Sequence, residues 1–282
     1  MGKRGITVVV GQPSGPSQMT GVIAAGALWE SVENVPVVGV YDRFPSASRA
    51  SEFAEGIEAL AGCRVVNPPW FTDLCRDKVR TQEVLERAGL SMPEVETDPA
   101  AFSRRLAEWG TGFLKPRHGS FGREVRWVSA TDAAAWQSPP AEGGPWILQQ
   151  AVLPPPNMAG VCVRVLVQRA ADGGWVARTP VRRASVSDPV VNAARGADLS
   201  PLRDASHVHE LALMAAAALA NGDPDVVEAG VDGVIDEAGR PHLIEVNSRP
   251  RGRLRALAER WPDAFHAEHV QACMAPLTAL CR

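Results

Sequence analysis

Three oxygen-bearing side chains stand close together near the end of the sequence. Asp232 lies in the apolar run 229–235, and Glu245 and Asn247 stand two residues apart in the next apolar run. The turn residues between the runs predict a hairpin, on whose second strand Glu245 and Asn247 project to one side. Two carboxylates and an amide oxygen suit Mg²⁺ carrying substrate phosphates. A lone E-x-N would be explained more simply by a surface hairpin without metal. Acids within apolar strands, however, are costly to bury unless they are paired or bind a metal.

A lysine followed by small residues forms the second group. Lys115 ends the apolar run 112–115, and Gly119, Ser120 and Gly122 follow before the chain becomes apolar again. Such a loop can direct backbone N–H groups at phosphate oxygens while the lysine supplies positive charge. The spacing matches neither a Walker loop nor a Rossmann fingerprint. Taken alone, it is also compatible with an ordinary glycine-containing hairpin turn.

The elements that must position these groups differ between the two ends of the chain. Continuous β-branched runs alternate with amphipathic stretches at the start, which predicts a small α/β unit with buried parallel strands. Its predicted elements are a strand at 6–10, a loop at 11–17, a helix through 23–28, a strand at 35–41, a helix at 48–61 and a strand at 63–67.

The rest of the chain predicts short strands separated by turn signals, with helices between them. The fold class is therefore α/β plus α+β. The predicted strands lie at 112–115, 124–128, 146–150, 162–168, 175–183, 229–235 and 242–245, and the predicted helices at 70–90, 132–137, 207–220 and 264–282.

Composition excludes several classes of protein. The 282 residues carry 29 Lys+Arg and 32 Asp+Glu, a net charge of -3, so binding to nucleic acid through a general basic field is not expected. The five cysteines form no C-x-x-C pair, which favours a reducing cytoplasm. The apolar run at 6–10 is too short for a signal sequence or a membrane span. We therefore expect a cytoplasmic protein without a membrane partner.

The motifs, taken in order, resemble the ATP-grasp superfamily, over residues 67–250. The step of thirteen residues from Asp232 to Glu245 and the string E-V-N-S-x-P resemble its metal-binding strands. The spore-coat-associated ATP-grasp proteins and the peptide or amino-acid ligases are the most similar branch, supported by the runs 164–168 and 173–175. The motifs are Asn67-Pro68, Asp77-Lys78, Lys115-Pro116 with its loop, Gln149-Gln150, Arg164, residues 192–196 and Asp232…Glu245-Val246-Asn247.

The resemblance implies an ATP-grasp fold in three parts. These are a pre-ATP-grasp α/β domain at 1–70, a first subdomain with the glycine loop at 71–148, and a second subdomain with the metal site at 149–282. It also implies an ATP-dependent carboxylate–amine ligase. Such an enzyme transfers the γ-phosphoryl group to a carboxylate, an amine then attacks the acylphosphate, and ADP is released. Small carboxylate and amine substrates are expected, and a homo-oligomer is compatible with the sequence.

The resemblance also implies a role for each matching residue. The hinge departs from the family, because Gln149-Gln150 stands where an acid is common, and Asn157 or Gln150 would have to serve the ribose. One or two Mg²⁺ would be held by Asp232, Glu245 and Asn247. ATP would contact Lys78, Lys115, Gly119, Ser120, Gly122, Gln149, Gln150, Val152 and Arg164, and Arg182 or Arg183 would act at the reacting phosphate with Asn192 and Arg249.

Arginines alternate after the hairpin at 249, 251, 253 and 255. On an extended segment they would point to one side, where one or two could bind a substrate carboxylate by bidentate hydrogen bonds. A solvated helix start explains the same pattern equally well. Two other functions also stay open: a small-molecule kinase of the same fold, and a non-catalytic coat or nucleotide-sensing protein.

Overall fold

The structure is a computed structural model that describes residues 7–25, 28–42, 56, 60, 62–118, 124–131, 145–191, 196–250 and 254–280. The chain forms two compact units, Met1–Val66 with Leu280–Arg282, and Asn67–Ala279. Most of the predicted helix at 48–61 and the predicted helix at 132–137 lie outside the described residues.

The described residues of the first unit form two small sheets. One is an antiparallel meander of β1 (Val9–Gly15), β2 (Gln18–Ala25) and β3 (Leu28–Pro36). The other is a parallel pair, β4 (Gly39–Tyr41) and β5 (Arg64–Val66). The parallel pair confirms the strand predicted at 63–67, but only residues 39–41 of the strand predicted at 35–41, since residues 35–36 end β3 and residues 37–38 form no strand.

The loop predicted at 11–17 and the helix predicted through 23–28 are wrong, because the described residues there form strands or the turn between them. Gly11 pairs with Gly21 across β1 and β2, and a Cβ on Gly11 would lie 2.0 Å from a backbone oxygen. This close approach requires glycine on both strands. The β-branched residues of β2 then favour an extended chain over the helix that its small residues suggested.

Two helices begin the second unit in place of the single helix predicted at 70–90. They are α1 (Pro69–Arg76) and α2 (Lys78–Arg87). The chain is extended at Asp77, with φ -91° and ψ 101°, and the Asp77 carboxylate accepts hydrogen bonds from the first backbone N–H groups of α2. Aspartate is a strong N-cap residue, so it starts a second helix within the apolar pattern of one.

A four-stranded antiparallel sheet carries Lys115 and the start of the predicted hinge segment. Its strands are ordered β6 (Val95–Glu96), β9 (Trp146–Gln150), β7 (Thr111–Pro116) and β8 (Arg126–Ser129). One helix, α3 (Phe102–Trp109), packs on it, and the shared core contains Phe102, Leu106, Leu114, Trp146 and Leu148.

A larger antiparallel sheet carries the three predicted metal ligands. Its order is β13–β12–β10–β14–β15, and β11 also pairs with β10. The strand predicted at 175–183 is interrupted, since Thr179 N–H bonds to Glu268 and Pro180 has no N–H to donate. The strands are β10 (Gly160–Arg169), β11 (Trp175–Ala177), β12 (Val181–Ser185), β13 (Asp198–Pro201), β14 (Glu228–Ile235) and β15 (Pro241–Asn247).

The two faces of this sheet have different roles. On one face, valines of β10 and β14 pack against α4 (Ser206–Ala220). On the other, Leu166 and Val181 pack against α5 (Leu254–Arg260) and against Ala272 of α6 (Pro262–Ala279). That second face also carries the polar side chains of Arg164, Gln168 and Asp232. The mixed α+β class predicted from the sequence is confirmed. No helix among the described segments is long and apolar enough to cross a membrane.

Candidate functional site

The register of three strands brings the central residues of the site into one row. Arg164 of β10 pairs with Asp232 of β14, and Asp232 pairs with Glu245 of β15. Asn247 pairs with Gly230, two residues further along the same hairpin. Directly opposed residues in a sheet share a face, so these polar side chains lie together.

A β-bulge gives the second strand its polar face. Asp232 pairs with Glu245 and Gly233 pairs with Leu243, so Ile244 is an extra residue on β15. Without it, simple alternation would place Leu243 and Glu245 on the same face. The bulge instead lets Leu243 enter the core while Glu245 turns towards Asp232. Sequence alternation alone does not reveal this change of phase.

The carboxylate of Asp232 is the most heavily bonded group in the site. Asp232 is 4% exposed. Arg164 donates from Nε to Oδ1 at 2.8 Å and from Nη2 to Oδ2. Arg183 Nη2 donates to Oδ1 at 2.9 Å, and Asn247 Nδ2 donates to Oδ2 at 2.9 Å. Asp232 therefore holds two arginines and the amide together.

Of the two arginines predicted to act at the reacting phosphate, the structure brings only Arg183 to Asp232. Arg182 and Arg183 are consecutive in β12, so their side chains leave opposite faces of the sheet. The Arg183 Nε atom is buried and has no hydrogen-bond acceptor among the described residues. Arg249 follows β15 and is half-buried.

Two lysines lie within electrostatic range of the Glu245 carboxylate. Lys115 is 7% exposed, and its Nζ donates to Gln149 Oε1 at 2.6 Å. Burial, together with the positive charge of Lys78, lowers the pKa of Lys115 to about 8, although Glu245 acts in the opposite direction. Burial also lowers the pKa of Lys78, while Glu245 and Asp77 counteract it. The mutual influence of these groups places both lysines near Glu245.

Some polar groups of the predicted hinge segment already form hydrogen bonds within the protein. Gln149 is buried, and its side chain accepts from Lys115. Gln150 ends β9, and its backbone N–H bonds to Glu94 O at 2.9 Å. Val152 follows the strand and is half-buried. Four residues with predicted roles, Gly119, Ser120, Gly122 and Asn192, lie outside the described residues, as do residues 251–253.

An ion pair missed by the sequence analysis joins the two lysine-bearing segments. Arg117 donates from Nε and Nη2 to the two oxygens of Asp77, at 2.8 and 2.7 Å. Lys78 N–H also donates to Arg117 O, and Asp77 forms a β-bridge with His118. The Asp77-Lys78 pair stands out in the sequence as a motif. Nothing in the sequence, however, indicates that Asp77 pairs with Arg117, forty residues later.

Asn67 is a second residue whose function was missed. Its Oδ1 accepts from the backbone N–H groups of Val227 and Glu228, and its Nδ2 donates to the carbonyls of Glu228 and Ser248. Asn67 N–H also bonds to Asp225 O. The side chain thus joins the start of β14 to the end of β15, beside Asn247.

The residues present fit a divalent cation bound with a nucleotide. Glu245 offers a carboxylate, and Asn247 retains its Oδ1 because only its Nδ2 donates to Asp232. The described residues include no cluster of three or more His, Cys, Asp or Glu side chains that could hold a metal by themselves. Mg²⁺ commonly uses one or two carboxylates and completes its shell with phosphates and water. This donor set suits that mode of binding.

Comparison with known proteins defines the class as ATP-grasp. A sequence model of the family described as YheC/D like ATP-grasp matches residues 67–261. The chain belongs to this family. No curated protein matches its sequence.

Several solved structures share the fold. The ATP-grasp ligase PsnB with minimal precursor, Mg and ADP has a TM-score of 0.61 at 18% identity, covering 94% of this chain and 86% of that one. D-alanyl-alanine synthetase A from Vibrio cholerae has a TM-score of 0.59 at 14% identity, covering 87% and 73%. The D-cycloserine synthetase DcsG has a TM-score of 0.56 at 19% identity, covering 76% and 80%.

Proposed function

We propose that this protein is an ATP-dependent carboxylate–amine ligase acting on an amino acid or a short peptide. The observation that carries the proposal is that a buried lysine, Lys115, and a half-buried lysine, Lys78, lie within electrostatic range of Glu245. Glu245 stands on the sheet that also holds Asp232 and Asn247. Lysines opposed by acids and an amide match what a magnesium–nucleotide complex needs at its phosphates. Membership of an ATP-grasp family supports the same assignment.

The proposed reaction needs positioning and neutralisation of charge. Lys78 and Lys115 hold the β- and γ-phosphates, and Arg183 faces the transferring phosphoryl group. Held by Glu245, Asn247 and Asp232, Mg²⁺ would supply further neutralisation of charge. The substrate carboxylate attacks the γ-phosphorus and ADP leaves. The amine then attacks the acyl carbon, forms the amide bond and expels phosphate.

No cysteine in the described part of this site is set up as a nucleophile. Cys75 and Cys162 are buried. Burial raises the pKa of the Cys162 thiol to about 11, and burial likewise raises that of Cys75. A thiol attacks as its thiolate, which these environments disfavour. An acylphosphate route requires no nucleophile from the protein.

Three relatives in fold support an amino-acid or peptide substrate. PsnB was solved with a minimal precursor. The other two are named as synthetases of D-alanyl-alanine and of D-cycloserine. The test is ADP and phosphate release from ATP and Mg²⁺, with amino acids and short peptides supplied as carboxylate and amine. ADP formation that requires both groups supports ligation. ADP with a stable phosphorylated product indicates a kinase, and nucleotide binding without turnover indicates a sensor.

A matched pair of variants tests the site. Glu245→Gln should lower ADP release by about a hundredfold or more, the scale of removing one preorganised electrostatic contact. Glu237→Gln makes the same change in the exposed turn of the hairpin and should leave the rate as it is. Equal rates in the two variants would remove Glu245 from the site.

A further inference from the structure

N–H donors occupy every acceptor position of the Asp232 carboxylate. A carboxylate offers about four acceptor positions. Arg164 occupies one on each oxygen, Arg183 takes a second on Oδ1, and Asn247 takes a second on Oδ2. The group that should bind metal in the proposed function is thus already saturated by N–H donors. A cation can reach it only if a donor leaves.

Of the two arginines, Arg183 is held to Asp232 by fewer hydrogen bonds. Arg164 contributes two hydrogen bonds in a bidentate pair, whereas Arg183 contributes one to Asp232. Asn247 donates to the other oxygen, Oδ2, so a movement of its amide would not free Oδ1. The Arg183 guanidinium is buried, and its Nε has no acceptor among the described residues. Burying an unsatisfied N–H of a charged group is costly, so a second anion beside Arg183 would stabilise it.

We propose that a divalent cation and Arg183 are alternative partners of Asp232 Oδ1, and that the cation releases Arg183 to bind an anionic group of the substrate. The anion is a phosphate or a carboxylate, because both accept two parallel hydrogen bonds from a guanidinium. This inference rests on the proposed function. Metal binding and anion binding then strengthen one another, because the hydrogen bond between Arg183 and Asp232 opposes both and either ligand breaks it.

The first test uses Mn²⁺ alone, with its binding followed by electron paramagnetic resonance. Arg183→Gln removes the competing donor and should tighten Mn²⁺ binding about five- to tenfold, the lower range of such couplings. Arg182→Gln removes the same charge on the opposite face of the same strand, so its effect should be much smaller. Equal affinities in the two variants would overturn the proposal.

A double-mutant cycle separates exchange at Asp232 from a general effect of charge. In an Asp232→Asn background, the gain from Arg183→Gln should vanish, because the shared carboxylate is gone. A gain that persists there would refute the exchange. If Asp232→Asn fails to fold by circular dichroism, the comparison of Arg183→Gln with Arg182→Gln decides alone.

Inorganic phosphate tests the released guanidinium. Saturating Mn²⁺ should tighten phosphate binding in the wild type and should do so at least about fivefold less in Arg183→Gln. The same enhancement in both would show that phosphate binds the metal without Arg183, against the proposal.

One further variant tells apart the two possible failures. Glu245→Gln should weaken Mn²⁺ binding if the proposed metal site is right. Wild-type affinity in this variant would remove the metal site and the exchange together. Weakened binding, combined with equal effects of the two arginine variants, would remove the exchange and leave the proposed site intact.

Discussion

Lys115 is a buried cation that donates its hydrogen bond to a neutral amide. Burial and the nearby positive charge of Lys78 together lower its pKa to about 8. A phosphate between the two lysines favours their charged forms. Nucleotide affinity should therefore be full below about pH 8 and fall as the pH rises through that value, because deprotonation removes the charge that the phosphate needs.

Gln149→Glu should shift this alkaline limit. A carboxylate in place of the amide would lie within hydrogen-bond distance of Lys115 Nζ and raise its pKa, moving the limit upward by about one pH unit or more. The measurement is ADP affinity, with Mg²⁺, between pH 7 and 10. Gln150→Glu makes the same change on the other face of the strand and should leave the limit near the wild-type position. An unmoved limit in Gln149→Glu would show that another group titrates.

The residue scale also shows what spacing can and cannot predict. The separation of Asp232, Glu245 and Asn247 along the sequence was enough to select them together. It contained no information about Arg183, which lies forty-nine residues before Asp232 and reaches it only through the pairing of β12 with β10. Contacts between strands depend on register, which is set by packing of the whole sheet.

At the scale of elements, the Asp77–Arg117 pair joins the start of α2 to the end of β7. Both oxygens of Asp77 accept from Arg117, and Asp77 Oδ1 also caps α2. Lys78 follows Asp77 directly, and Lys115 stands two residues before Arg117. The pair therefore positions both lysines, which repel one another when no phosphate lies between them.

Arg117→Gln should weaken ADP binding about three- to tenfold and lower the free energy of unfolding by about 1 kcal/mol, as expected for a partly exposed bidentate pair. Calorimetric titration with ADP and Mg²⁺, together with urea unfolding, measures both. Arg80→Gln removes an exposed arginine from the same helix and serves as the control. Loss of stability without loss of affinity would limit Arg117 to a structural role.

Asn67 closes the hairpin that carries the proposed metal ligands. Its side chain makes four hydrogen bonds to buried backbone groups, and its φ is 55°. Asn67→Ala leaves those groups unsatisfied and should lower the free energy of unfolding by about 3 kcal/mol in urea. Asn221→Ala is the matched control, since Asn221 also has a positive φ of 47° but is exposed. Equal losses would assign the effect to backbone strain.

Elements of the second unit could be predicted better than those of the first. The strand at 146–150 and the helix at 207–220 follow from clear apolar patterns and turn signals. The meander of β1–β3 could not be predicted in this way, because its small residues are equally compatible with a helix. Only the structure shows that Gly11 and Gly21 face each other. The break at Asp77 was hidden for a similar reason: apolar spacing on both sides suits one helix, and only the cap shows two.

At the scale of the whole molecule, the described site residues belong to one of the two compact units. Lys78, Lys115, Arg164, Asp232 and Glu245 all lie within Asn67–Ala279. Their segments come from two separate sheets and from the junction of α1 and α2. Neither sheet alone assembles the site. Net charge could exclude a general basic surface, but it could not locate positive charges that come together only when the chain folds.

Binding of ADP with Mg²⁺ should therefore protect a scattered but defined set of backbone amides. A ligand that binds only the folded state stabilises by mass action, about 2.7 kcal/mol at a hundredfold excess over Kd, and this slows the exchange of amides near it most. We expect slower hydrogen exchange in β7, β9, β10, β14 and β15, and unchanged exchange in β1–β3. The Glu245→Gln variant should lose the protection at the same nucleotide concentration. Protection confined to β1–β3 would place the nucleotide in the first unit and contradict the proposed site.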